Sequence, residues 1–135
     1  MGTYDPTPIL SMETAIRFLK ELMPGGIPAL MQANQSLAHQ ARQLLLERLD
    51  VPPPAPIEMI ASLVSIPIAP SGGQSKLPSG INLVQSRLVN EFQIEVPVFF
   101  GNDALILRTS SQAYNTIGEY ERLADALVSI LNTAS

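Results

Sequence analysis

Apolar positions recur along the chain with two different periods, which predict helices and strands. Spacings of three and four residues predict four helices, at 12–23, 27–49, 81–92 and 117–131. Short apolar runs predict three strands, at 60–68, 94–100 and 104–110. The order is helix, helix, strand, helix, strand, strand, helix. We therefore predict an α+β two-layer sandwich, with a small, mostly antiparallel sheet of about three strands and helices packed on one face.

Proline, glycine and serine mark the connections between these elements. Pro24-Gly25-Gly26 ends the first helix, because proline cannot continue the hydrogen-bond ladder and glycine permits a left-handed turn. The proline-rich stretch 51–56 predicts a stiff connector. Residues 69–80 predict a flexible loop, and 101–103 a hairpin turn. Pro67 places the first strand at a sheet edge or near its own end. Thr116 is a candidate cap of the last helix, with Glu119 three residues on.

Composition indicates one domain whose surface carries few charged residues. The chain has 135 residues and a mass of 14.6 kDa, so we expect 1–135 to form a single domain, with 1–11 leading into it. Apolar residues make up 46% and charged residues only 15%, below the quarter or so typical of soluble domains. Little charge is available to cover the outside. We therefore expect surface that contacts another domain or subunit.

Charge and cysteine content argue against several classes of function. The net charge of −4 gives no electrostatic attraction to nucleic acid or an anionic membrane. Without cysteine there is no disulfide framework, thiolate nucleophile or cysteine metal site. No apolar run approaches the roughly 18 residues that span a bilayer, and the first residues lack the pattern of a signal peptide. We expect a cytoplasmic protein that binds neither membrane nor nucleic acid.

Catalytic and metal-binding candidates are few. The single histidine, His39, has no carboxylate cluster at ligand spacing and is best explained as a half-exposed helix residue. The stretch 71–76, Ser-Gly-Gly-Gln-Ser-Lys, lacks the spacing of a phosphate-binding loop. Glu91 and Glu95 have no evident partner for acid-base work. We therefore predict no catalytic residue and no metal site in this chain.

Arg108 stands out because it follows three apolar residues in a predicted strand. A buried guanidinium is costly unless a carboxylate or another anion pairs with it. At a strand end, Arg108 could present its planar fork to a ligand carboxylate. From the residues alone, the favoured interpretation is an internal ion pair with Asp103 or with an acid of the last helix such as Asp125.

Residues 94–98 read Ile-Glu-Val-Pro-Val, and 107–115 read Leu-Arg-Thr-Ser-Ser-Gln-Ala-Tyr-Asn. These stretches resemble class V aminotransferases, and most closely the isopenicillin N epimerase-like branch. Residues 121–125, Glu-Arg-Leu-Ala-Asp, resemble the helix that follows in that branch. The start, Gly-Thr-Tyr-Asp-Pro-Thr at 2–7, resembles its Gly-Thr-x-Asp-Pro stretch, and 15–19 its next helix. The four motifs keep the order and spacing of the family.

The resemblance implies the C-terminal small domain of a fold-type-I enzyme that uses pyridoxal phosphate. In such enzymes the arginine matching Arg108 holds the α-carboxylate of an amino-acid substrate, which favours the ligand role over the ion pair. The residues matching Gly2 and Thr3 approach the cofactor phosphate of the partner subunit. Tyr114 and Asn115 would shape the turn that aims the arginine. The resemblance also implies a homodimer and a missing large domain.

The sequence also departs from the family. The Schiff-base lysine has no match, because Lys20 and Lys76 both lack its Ser-x-x-His-Lys-like context. Tyr4 stands where many relatives carry arginine. We therefore expect the parent enzyme to catalyse transamination, epimerisation or carbon-sulfur cleavage, and this chain alone to be inactive. The alternative is a stand-alone, non-catalytic binding or oligomerisation module that kept the small-domain fold.

Overall fold

Four helices and three strands follow one another in the predicted order. The computed structural model describes residues 5–70, 83–101 and 104–133. The helices are α1 (Thr7–Glu21), α2 (Gly26–Leu49), α3 (Leu83–Phe92) and α4 (Ile117–Thr133). The strands are β1 (Leu63–Pro70), β2 (Val98–Phe100) and β3 (Ala104–Ser110), and a 3-10 turn forms at Ile57–Met59. The predicted α+β class is confirmed.

The strands form one antiparallel sheet in the order β1-β3-β2. The central strand β3 pairs Arg108 with Ser65 of β1, and Ile106 with Phe99 of β2. Because successive side chains of a strand point to opposite faces, one face of the sheet is apolar and buried. That face carries Val64, Ile66, Ile68, Val98, Leu105 and Leu107.

Helices cover only the buried face of this sheet, as predicted. α2 contacts both β1 and α4, and α4 contacts α3. Leu45 of α2, Leu88 of α3 and Leu127 of α4 are fully buried in one core with Leu107. On the opposite, helix-free face, Phe99 and Arg108 are exposed. None of the helices in the described ranges is long and apolar enough to cross a membrane.

The first strand starts later, and continues further, than the sequence predicts. The 3-10 turn occupies 57–59, and β1 then runs to Pro70, two residues into the predicted loop. Residues 71–80 of that loop lie outside the described residues. Pro67 is tolerated because β1 is an edge strand, and the pairing register shifts just after it. The edge position predicted from Pro67 is confirmed.

The second strand is three residues long, and its predicted start at residue 94 is wrong. Gln93 has a left-handed backbone, with φ of 56°, and the amide of Ile94 donates to the carbonyl of Leu88 at 2.9 Å. These features end α3 with a sharp reversal. The chain therefore pairs with β3 only from Val98 onward.

The first helix begins at Thr7, five residues before its predicted start. Asp5 accepts hydrogen bonds from the amide and the hydroxyl of Thr7, at 3.0 and 2.6 Å. Pro8 lies in the first turn, where a proline costs no helical hydrogen bond. α1 therefore begins within residues 1–11, which the sequence predicts as a segment leading into the domain.

We predict that Leu107→Ala destabilises the protein by about 2–5 kcal/mol, because Leu107 is fully buried at the centre of the sheet. The matched control is Leu10→Ala, since Leu10 is 75% exposed on α1 and should cost within about 0.5 kcal/mol. Urea unfolding of both variants measures the difference. Equal losses would contradict this assignment of the core.

Candidate functional site

A cleft of about 450 Å³ opens beside the start of β2, where β3 continues past it. The amide of Arg108 still donates to the carbonyl of Pro97, at 3.0 Å. Upstream of that bond, residues 93–96 connect α3 to β2 without strand pairing to β3. The gap is bounded by 93–97, by the end of β3 with the turn after it, and by the first two turns of α4. The short second strand therefore creates the cleft.

Arg108 lines this cleft from the helix-free face of the sheet. Its guanidinium carbon lies 5.9 Å from the centre of the Phe99 ring on the neighbouring strand. A cation over an aromatic face is attracted by the ring quadrupole, and this attraction uses none of the N–H donors of the guanidinium. The contact with Phe99 therefore orients Arg108 and does not use its N–H groups.

The proposed internal partner for Arg108 on α4 is engaged elsewhere. Asp125 accepts a hydrogen bond from Arg48 of α2 at 2.6 Å. Asp103, the other candidate, lies outside the described residues. Within the described ranges, no carboxylate lies at ion-pair distance from Arg108. The ion pair with Asp125 is wrong, and the pairing with Asp103 stays a prediction.

Asn115 holds the turn between β3 and α4. Its side-chain oxygen accepts from the amide of Gln112 at 3.0 Å, and its nitrogen donates to Glu119 at 3.1 Å. Glu119 also accepts from the amide of Thr116 at 2.9 Å, so the predicted pairing across this helix start is present. Tyr114 projects into solvent at the edge of the cleft. The cleft thus brings Arg108, Tyr114 and Asn115 together.

A buried hydroxyl pair, which the sequence reading missed, fastens the same turn from inside. The hydroxyl of Tyr120 donates to the carbonyl of Ser110 at 3.0 Å and lies 2.9 Å from the hydroxyl of Ser111. The amide of Ser111 donates to the carbonyl of Ser62, at 2.8 Å. Buried polar groups of this kind stabilise a structure only when all are paired. Two features of the sequence could have indicated this pair. Tyr120 occupies an inward-facing position of α4, and Ser110 and Ser111 stand together shortly before that helix.

Apart from Glu95, which lines the cleft, the other candidates from the sequence lie away from it or outside the described residues. His39 donates from Nε2 to the carbonyl of Ile60 at 3.0 Å, which is a structural role. Arg87 donates to Glu91 at 2.7 Å and lowers the pKa of that carboxyl. Gly2 and Thr3 lie outside the described residues. Within the described ranges, no group of acidic or histidine side chains is arranged to hold a metal.

The cleft fits a carboxylate better than it fits pyridoxal phosphate. Among its described lining residues there is no lysine that could form a Schiff base. Lys20 lies on α1, and Lys76 lies outside the described residues. The cleft does offer an exposed guanidinium, whose geometry matches a carboxylate. The described residues therefore supply a binding group and not the covalent chemistry of that cofactor.

Comparisons with known proteins agree with the motifs. No family model matches the chain. Isopenicillin N epimerase of Streptomyces clavuligerus is 33% identical over 129 residues, which cover 93% of this chain and 30% of that protein. A probable L-cysteine desulfhydrase, chloroplastic, of Arabidopsis thaliana is 27% identical over 135 residues, covering 94% of this chain and 28% of that protein.

The resemblance to the isopenicillin N epimerase-like class V aminotransferases is confirmed. This chain spans less than a third of the length of these two relatives, while they match nearly all of it. The similarity is therefore to one part of an isopenicillin N epimerase-like protein. It extends over the strands and helices that build the cleft.

Glu119 provides a pH test of the turn that carries Asn115. Hydrogen bonds from the amide of Thr116 and then from Asn115 hold the pKa of Glu119 below its ordinary value. A lowered pKa in the folded state stabilises the fold above the unfolded pKa of about 4.3, and this stabilisation is lost as the pH falls through the folded value. We predict that Glu119→Gln lowers the melting temperature at neutral pH, and that its difference from the wild type shrinks on acidification.

Melting curves of both proteins from neutral to acidic pH measure this difference. Glu121→Gln, on the exposed side of the same helix, is the control for removing one negative charge. A difference for Glu119→Gln that stays constant with pH would contradict the role of the ionised carboxylate.

Proposed function

We propose that this chain is the substrate-carboxylate-binding part of a pyridoxal-phosphate-dependent, isopenicillin N epimerase-like enzyme. One observation carries the proposal: Arg108 presents an exposed guanidinium at the cleft, with no carboxylate at ion-pair distance in the described ranges. The similarity to part of two such relatives supports it. In this proposal Arg108 binds the α-carboxylate of an amino-acid substrate.

The surroundings of Arg108 suit a binding role because they restrict it before a ligand arrives. Its amide is bonded to Pro97, its strand pairs with β1, and its guanidinium lies over the Phe99 ring. A side chain that is already oriented loses less conformational entropy on binding. Asn115 and the Ser111–Tyr120 pair hold the following turn, and so keep the far wall of the cleft in place.

The remainder of the enzyme supplies the chemistry in this proposal. A large domain would provide the Schiff-base lysine and most of the pyridoxal phosphate site, so this chain alone would be inactive. The resemblance assigns Gly2 and Thr3 to the cofactor phosphate of the partner subunit in a homodimer. The names of the two relatives, an epimerase and a desulfhydrase, fit epimerisation or carbon-sulfur cleavage, and the family adds transamination.

Helix α1 supports a contact with the rest of such an enzyme. None of its residues is buried, although it is amphipathic and rich in large apolar side chains. Those exposed by more than a third are Ile9, Leu10, Met12, Ile16, Phe18 and Leu19, and Leu22 directly after the helix is exposed to a similar extent. An apolar surface of this kind marks an interaction site. The same surface would serve the alternative function, a stand-alone oligomerisation module that kept the small-domain fold.

We predict that Arg108→Leu raises the KM of the full-length enzyme for its amino-acid substrate by at least about tenfold, because a charge-assisted bidentate pair is lost. Isopenicillin N and L-cysteine are the substrates to assay first, given the names of the relatives. Arg108→Lys should recover only part of the affinity, since a lysine cannot form the planar fork.

Stability provides the control for this experiment. Arg108 is exposed, so the melting temperature should barely change in either variant. A large loss of stability together with unchanged KM would assign Arg108 to an internal ion pair and overturn the proposed role.

The size of the native polypeptide separates the enzyme from the stand-alone module. An antibody raised against this chain should detect, in extract of the source cells, a band several times larger than 14.6 kDa. Immunoblotting beside the purified 135-residue chain makes the comparison direct. A single band level with that standard would instead favour the stand-alone module.

A further inference from the structure

A second arginine lines the same cleft from the helical layer. Arg122 lies in the second turn of α4 and is exposed. One of its terminal nitrogens donates to the carbonyl of Phe92, the last residue of α3, at 2.7 Å. A guanidinium has five N–H donors, so this single bond orients the group and leaves donors for a ligand.

The two arginines reach the cleft from different layers of the sandwich. Arg108 comes from the helix-free face of β3, whereas Arg122 comes from α4, which packs on the other face. Both line one cleft because β2 begins only at Val98, so no residue of β2 lies beside the last residues of β3 there. A cleft of about 450 Å³ is within the range of small-molecule sites, roughly 300–1,000 Å³.

The carboxylates of the cleft leave both guanidinium groups available. Glu119 is engaged by Thr116 and Asn115 at the start of α4, where the helix dipole favours its negative charge. Glu95 is exposed on the opposite wall. In the part of the chain that the structure describes, neither carboxylate lies within ion-pair distance of Arg108 or Arg122.

We propose that the cleft selects an amino-acid substrate that carries a second acidic group, with Arg108 on the α-carboxylate and Arg122 on the distal group. This inference rests on the proposed function and adds a specificity-determining residue to it. Because the distal anion pairs with a fixed guanidinium, an analogue that lacks that charge leaves Arg122 without a charged partner and binds more weakly.

Glutarate and its monoamide, glutaramate, test the proposal, because they have nearly the same shape and differ by one negative charge. The 135-residue chain is titrated with each at constant ionic strength, following the guanidinium resonances by NMR. We expect glutarate to bind about tenfold more tightly than glutaramate. In Arg122→Gln the preference should disappear while glutaramate binding is kept. In Arg108→Leu both ligands should bind weakly.

Controls separate the two arginine roles from a general charge effect. Arg17→Gln removes an exposed positive charge on α1 and should keep the preference for glutarate. Arg122→Lys should keep part of it. Equal binding of the two ligands by the wild type, or a preference that survives Arg122→Gln, would overturn the role of Arg122 and leave that of Arg108. Absence of saturable binding by either ligand would overturn both.

Discussion

The antiparallel pairing of β3 with both neighbours is the interaction on which the rest of this structure depends. β3 is the central strand, and its alternate side chains face opposite ways. Leu105, Leu107 and Thr109 point into the helical layer, and Arg108 points to the helix-free face. A shift of one residue in register would bury the guanidinium and expose the leucines. The register of β3 therefore determines both the packing of the core and the orientation of Arg108.

The cleft follows from unequal strand lengths. β3 has seven residues and β2 has three, so the end of β3 has no full partner on that side. Beyond β2, the amide of Arg108 is paired with Pro97, and the carbonyl of Ser110 accepts from the hydroxyl of Tyr120. Loops positioned by a rigid scaffold commonly carry binding residues. Here the scaffold is the sheet and α4, and the turn between them shapes the cleft.

The apolar face of α1 is exposed and separate from the polar cleft. The core is complete without α1, which contacts mainly α2. An amphipathic helix with no buried residue is stable when its apolar face meets another surface, since isolated helices of this length are marginal in water. In the proposed function, the remainder of the enzyme provides this surface.

The helices and the fold class could be predicted from local pattern. The spacing of apolar residues identified all four helices, and the glycines at 25 and 26 have the positive φ expected of a helix break. Pro67 indicated the edge strand. Motif order pointed to the isopenicillin N epimerase-like family and to Arg108. These features depend on residues that are close together in the sequence, so they can be predicted without knowing the tertiary structure.

The limits of β2 and the contents of the cleft could not be predicted in this way. Residues 94–97 have strand-like composition, yet the left-handed Gln93 directs them away from β3. Arg122 has the pattern of an exposed helix residue, and Tyr120 that of a core residue. Their roles arise because α3, β3 and α4 meet at one point. The sequence by itself determined the elements and the family resemblance, since both are local patterns. Only the tertiary structure decided which side chains share the cleft, because contacts between residues distant in sequence depend on packing.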